Sequence, residues 1–138
     1  YYLDFKIHPI FKPYNKYFIT KSERISLSNT ETKDEDYALF ITDFSSYTFN
    51  FAYLNRPIIY FVPDMKEFKA GLNQYRELDL PFEDAFGDLC ETVEEVVAAI
   101  KKSAENGFVA EKKYRQRMEG FYLPMEDCCE KIYEEIIG

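Results

Sequence analysis

The sequence predicts an α/β fold built on a mostly parallel sheet, and three observations carry that prediction. Residues 38–64, ALFITDFSSYTFNFAYLNRPIIYFVPD, contain two continuous apolar runs, ALFIT and PIIYFVP. Runs without polar alternation suit strands covered on both faces. The stretch between them has helix-compatible spacing, and two strands joined through a helix make a βαβ unit, normally right-handed. The last part of the chain is helical in period throughout. The 42–46 turn then falls at the carboxyl edge of the sheet, where open α/β folds bind ligands.

In chain order, residues 1–7, YYLDFKI, alternate apolar positions among β-favouring residues and read as a strand ending at His8-Pro9. Residues 10–17 are rich in Pro and Asn and read as a loop with room for one helical turn. Residues 18–20 and 25–27 read as short strands around a polar turn, and 29–36 as a polar segment able to hold a short helix. The strand over 38–42 ends at Thr42-Asp43. Ser45 and Ser46 are candidate N-caps for a helix over 46–54, with Phe49, Ala52 and Tyr53 on one side. Asn55-Arg56-Pro57 stops that helix, because a residue before proline is pushed out of the α region.

Residues 57–63 form the second apolar strand, and 64–70 one helical turn ending at Gly71. Residues 72–87, LNQYRELDLPFEDAFG, have no stable period, and a loop of this length is often functional. Thr92 and Glu95 form a capping box for a helix whose stripe is Val93, Val96, Val97, Ile100 and Ala104. Asn106-Gly107 ends it. A second helix over 110–119 places Tyr114 and Met118 on one face. A third over 125–137 is expected to bury Cys128, Cys129, Ile132, Tyr133 and Ile136. With no repeat, linker or shift in composition, residues 1–138 read as one domain.

Net charge is −8, which argues against nucleic acid and against direct membrane contact by this segment. A small phosphorylated ligand stays open, since backbone N–H groups bind phosphate even in an acidic protein. No apolar run approaches the ~20 residues that span a bilayer. The chain opens at Tyr1 with strand-like residues, which reads as a piece of a longer protein. Cys90, Cys128 and Cys129 lack zinc spacing and point to free thiols in a reducing cytoplasm. No carboxylate–histidine cluster has ligand spacing, so neither a metal site nor a cofactor is expected.

His8 is the lone histidine. It either hydrogen-bonds within a strand-end loop or serves as a proton carrier or phosphate partner. Ser45 and Ser46 either cap a helix only, or cap it while adding hydroxyl donors to a phosphate at its N-terminus. Asp43 either orients the loop through its backbone or touches a ligand hydroxyl. TDFSS lacks the glycines of a dinucleotide loop, a P-loop or a nucleophile elbow, which weakens a Ser–His–Asp hydrolase built on His8, Asp43 and Ser45. Arg115 and Arg117 are able to reach a phosphate, but pairing with nearby glutamates is the expected role.

ITDFSSYTFNFAYLNRPIIYFVPDMKEF resembles the core signature of the CDP-glycerol glycerophosphotransferase family, the polymerases and primases of teichoic acid. That signature is an apolar strand, T-D-[YF]-S-S, an aromatic helix, [KR]-P and a strand ending in Asp. KIHP at residues 6–9 resembles the family's strand-end H-P motif. LPFEDAFGDLCETVEEVVAAI and FYLPMEDCCEKIYEEI resemble its downstream loop-and-helix and its closing helix, in family order. Asp88 departs from the pattern, standing where the family often has proline after glycine.

The resemblance implies a Rossmann-like, three-layer domain ending in helices, the C-terminal half of a GT-B fold. It implies that His8 contacts the donor phosphates or assists the leaving group. Thr42, Asp43, Ser45 and Ser46 would form the wall for the pyrophosphate of a CDP-glycerol or similar donor. The acceptor half and the polymer acceptor lie outside the chain, so the fragment alone is expected to be inactive. The parent is expected to be cytoplasmic and peripheral on the inner face of the membrane. A nucleotide-sugar glycosyltransferase of capsule or cell-wall synthesis is one alternative. A protein-binding module docking through residues 47–53 and 72–86 is another.

Overall fold

The computed structural model describes residues 1–27, 32–71, 78, 80–122 and 127–137. They group into two compact units, Tyr1–Tyr37 and Ala38–Gly138. The fold is α/β and Rossmann-like in its elements: among the described residues all three strand pairings are parallel, and helices follow the strands.

In the first unit β1 (Leu3–Phe5) pairs in parallel with β2 (Ile25–Leu27), Leu3 opposite Ile25. Between them lies a 3-10 helix, Pro9–Tyr17, where a loop is expected from the sequence. Pro9 opens it at a position whose N–H would be unused, and Pro13 inside it removes a donor that an α-helix needs. Residues 18–20 are not a strand, because the Phe18 amide is taken by the Asn15 carbonyl and Thr20 turns the chain toward Ser22. A short 3-10 turn at Asp34–Asp36 follows; residues 28–31 of the expected helical segment lie outside the described residues. The Tyr37 hydroxyl donates to Asp4, which also accepts from Ser26. Partial burial and that carboxylate push Tyr37 up to about 12.

The second unit holds a three-stranded sheet in the order β3 (Phe40–Thr42), β4 (Ile58–Phe61), β5 (Gly87–Cys90). β4 is central and carries the core, with Ile58, Ile59 and Tyr60 buried. β3, expected to be covered on both faces, is half-buried, because it is the edge strand of this sheet. α1 (Thr48–Tyr53) links β3 to β4 and buries Thr48, Phe51 and Ala52. Tyr53, expected inside, is exposed. After β4 comes α2 (Met65–Lys69), ended by Gly71 at φ 75, and burying Met65.

β5 begins at Gly87, the last residue of the irregular stretch expected over 72–87, of which 72–77 and 79 lie outside the described residues. Gly87 stands opposite Ile58, and a Cβ there would lie 1.9 Å from the Ile58 carbonyl oxygen. Only glycine lets β5 close on the central strand at that point.

α3 (Val93–Glu105) starts at the expected capping box, with Thr92 accepting from the Glu95 amide and Glu95 accepting from Thr92 and Glu91. It packs on β4 and β5 and ends at Gly107, φ 65. Of its expected stripe, Val96, Ile100 and Ala104 are half-buried, whereas Val93 and Val97 are exposed. α4 (Lys112–Phe121) buries Tyr114 and Met118 as the spacing requires. α5 (Cys128–Ile137) forms, but its apolar side does not bury: Cys129, Ile132, Tyr133 and Ile136 are exposed and Cys128 half-buried, since no described element covers that face. Residues 125 and 126 of the expected helix lie outside the described residues.

Gly87→Ala is expected to destabilise the chain by about 3 kcal/mol, the upper range for overpacking, because the atom it meets is backbone. Gly120→Ala, with nothing within 4 Å of its Cβ, is expected to be neutral or stabilising by up to about 1 kcal/mol. Urea midpoints of the two variants decide this; equal midpoints would remove the steric account of β5.

Candidate functional site

The turn between β3 and α1 sits at the carboxyl end of its strand. Asp43 accepts a hydrogen bond from the Ser45 amide at 3.0 Å, and the Ser45 hydroxyl oxygen accepts from the Tyr47 amide at 3.3 Å. Two side chains thus tie the amides of residues 45 and 47 into one tight loop over 43–47. The Ser45 and Ser46 carbonyls then receive the Thr48 and Phe49 amides.

This corrects the expected capping. The helical N-cap is Tyr47, without a side-chain cap bond, and α1 begins at Thr48. Of the two expected roles for Asp43, loop orientation is the one its contact fulfils.

The stitching leaves specific groups over. Ser45 uses its hydroxyl oxygen as an acceptor and keeps an O–H to donate. Ser46 is exposed, and among the described residues nothing hydrogen-bonds its amide or hydroxyl. Thr42 is half-buried at the end of β3. The turn therefore presents polar donors and no cation of its own.

Aromatic rings hold it on both sides. Phe44 packs on Phe68 at 5.2 Å, Phe68 on Phe82 at 5.9 Å, and Phe82 on Tyr60 of β4 at 5.8 Å. Tyr47 packs on Phe40 at 5.8 Å, and Phe40 stacks on Phe51 at 4.1 Å. Beneath them the Thr48 and Tyr60 hydroxyls share a buried hydrogen bond of 2.7 Å, and burial raises the Tyr60 hydroxyl above the ordinary tyrosine range. Such pairs add roughly 0.5–1.5 kcal/mol each beyond their buried area. The turn rests on packed rings rather than on loop backbone alone.

His8 belongs to the first unit, where it is the exposed N-cap of the 3-10 helix. Its Nδ1 accepts the Ile10 amide at 3.3 Å. An accepting Nδ1 requires the neutral ring to carry its proton on Nε2, so the outward nitrogen is a donor. That geometry suits a hydrogen bond to a phosphate oxygen better than abstraction of a proton.

The remaining chemistry-bearing residues have structural partners. Asp88, the departure from the family pattern, lies on β5 and accepts from the Tyr114 hydroxyl at 2.6 Å. Lys102 and Lys113 stand 3.7 and 3.9 Å from it, and both also pair with Glu111. Burial and then Asp88 hold the Tyr114 hydroxyl protonated far beyond its usual range. Arg117 donates to the Ala85 carbonyl at 2.7 Å instead of pairing with a glutamate. Burial, then Glu95 and Asp88, push the Cys90 thiol up, which disfavours a thiolate nucleophile.

A separate cavity of about 230 Å³ opens at the amino edge of the sheet, walled by Pro57, Ile58, Ala99, Ser103 and Ala110. The buried Ser103 hydroxyl has no partner among the described residues. Among those residues no group of three or more His, Cys, Asp or Glu could hold a metal ion. No described helix is long and apolar enough to cross a membrane.

Residues 1–137 match the profile of the CDP-Glycerol:Poly(glycerophosphate) glycerophosphotransferase family. The chain is similar to a teichoic acid poly(glycerol phosphate) polymerase of Bacillus spizizenii, 36% identical over 108 residues, covering 72% of this chain and 25% of that protein. A polymerase of the same description from Bacillus subtilis is 45% identical over 65 residues, 46% of this chain and 8% of that one. The minor teichoic acid biosynthesis protein GgaB of Bacillus subtilis is 33% identical over 85 residues, 61% of this chain and 9% of that one. The alignments span a quarter or less of these relatives' lengths. No solved structure matches the chain.

Asp43→Ala is expected to free the Ser45 amide, so that its hydrogen exchange accelerates by at least about tenfold, the equivalent of losing roughly 1.4 kcal/mol. Asp43→Asn keeps an accepting oxygen and is expected to retain most of the protection. Equal exchange in both variants would mean that packing, not the tether, sets the turn.

Proposed function

This chain belongs to the CDP-glycerol glycerophosphotransferase family, and on that premise we propose that residues 1–138 are the donor-nucleotide half of a GT-B-type transferase. The parent moves glycerol phosphate, or a related polyol phosphate, from a CDP-linked donor to a surface polymer. The observation that carries this reading is the family match over 1–137, together with a turn whose Ser46 amide and hydroxyl are uncommitted.

In the proposed step an acceptor hydroxyl attacks the phosphorus that carries the glycerol. The bond to the bridging oxygen breaks, and its electron pair leaves on the phosphate of CMP. The acceptor's proton goes to a base supplied by the other half of the parent. Phosphoryl transfer asks the protein mainly for positioning and for donors where charge develops. Ser45 and Ser46 supply O–H and N–H donors to the diphosphate, Asp43 holds the turn that aims them, and Thr42 borders the wall. His8 donates through Nε2 to the donor phosphates. The parent works from the cytoplasmic side as a peripheral protein of the membrane, and this chain alone transfers nothing.

Isothermal titration of the chain with CDP, CMP, UDP and UMP tests the donor. CDP is expected to bind best, and Ser46→Ala to weaken it by roughly tenfold, as for a lost bond to a charged group. Preference for UDP would move the chain to nucleotide-sugar transfer, and no nucleotide binding would favour a protein-binding module. In the full-length parent, His8→Asn keeps a capping acceptor but removes the Nε2 donor. Turnover is expected to fall at least about tenfold, as for a lost bond to a charged group; an unchanged rate would limit His8 to capping.

A further inference from the structure

The 3-10 helix Pro9–Tyr17 has three residues per turn, so side chains three apart line up along it. Phe11, Tyr14 and Tyr17 form one ridge in this way, and they stand 50%, 55% and 69% exposed. The Tyr14 and Tyr17 rings stack at 6.5 Å, and the Lys16 ammonium lies 5.0 Å from the Tyr17 ring centre. Ile10 and Ile19 widen the apolar surface, at 68% and 80% exposure.

The charge carried by this stretch of the sequence has one sign. Residues 8–22 contain Lys12, Lys16 and Lys21 and no carboxylate, within a chain whose net charge is −8. The net value argued against membrane contact by treating the chain as a single charge. Beyond a Debye length of ~10 Å at 0.1 M salt, charges are largely screened, so only those near the contact count. Lys6, just before the segment, is paired with Asp34 and adds little.

We propose that the Phe11–Tyr14–Tyr17 ridge is a contact surface for an anionic lipid bilayer. Tyrosine suits the headgroup level, with an apolar ring and a polar tip, and phenylalanine and isoleucine suit the acyl boundary just below. Lysines flanking such a surface gain from anionic headgroups. The lysines also decide against a protein partner, because interface cores take Tyr and Phe but are depleted in Lys. This surface is separate from the 42–46 turn and does not depend on the donor chemistry.

Co-sedimentation of the 138-residue chain with phosphatidylglycerol-containing vesicles, against pure phosphatidylcholine vesicles, tests the proposal. Binding is expected with the anionic vesicles only, and is expected to fall as salt rises. Lys16→Gln and Lys21→Gln, both at exposed positions, are each expected to weaken it roughly fivefold. The triple variant Phe11→Ser/Tyr14→Ser/Tyr17→Ser is expected to abolish it while leaving the far-UV circular dichroism unchanged. Equal binding to both vesicle types, no sedimentation, or lysine variants that bind as the parent does would overturn it. So would retention on a soluble anionic polymer without vesicle binding, which would make the lysines a polymer site.

Discussion

The parallel pairing of β4 with a neighbour on each side is the constraint on which the larger unit depends. A strand so placed exchanges backbone hydrogen bonds along both edges, and Ile58, Ile59 and Tyr60 are buried with it. Parallel neighbours cannot be joined by hairpins, so the chain leaves each strand at the carboxyl edge and returns by a crossover. One consequence is a loop after β3 at that edge, followed by α1. Another is the close approach at Gly87, which no side chain larger than hydrogen fits.

The 42–46 turn turns that topological necessity into a chemical surface. Its backbone is set by the Asp43 carboxylate and the Ser45 hydroxyl oxygen, and its flanks by aromatic packing that reaches back to β4. A turn held by its own side chains keeps donors aimed without a ligand present. Preorganised donors are worth more to a charge-developing reaction than mobile ones, because they need not reorient as charge builds. In the first unit the Ile10 amide occupies the Nδ1 of His8, which leaves Nε2 to carry the proton of the neutral ring.

Much of this was legible in the residues. The two apolar runs, the proline stop, the Thr92–Glu95 box and the glycine at 107 each have a local cause, and each appears where its cause places it. No strand was read at β5, because GDLC is too short to show a period and carries an aspartate. The capping box at Thr92 was the available signal, since a helix that follows β4 in an α/β chain asks for a strand between them or just before it. The helix start after TDFSS was misplaced because candidate caps were judged by residue type, whereas the Ser45 hydroxyl oxygen is taken by the Tyr47 amide within the turn. Asp88 looked like a lost family feature and is a partner for Tyr114 and two lysines. The α5 stripe was correctly periodic, but a stripe says only that something must cover it.

The central claim is that the 42–46 turn receives the diphosphate of a cytidine donor. Backbone amide shifts of the chain, recorded by two-dimensional ¹H–¹⁵N NMR during titration with CDP, test it most directly. The account predicts that the largest perturbations fall on Ser45, Ser46 and Tyr47, around the uncommitted amide and hydroxyl of Ser46. Perturbations centred instead on the Ser103–Ala110 cavity, with the turn unmoved, would contradict it.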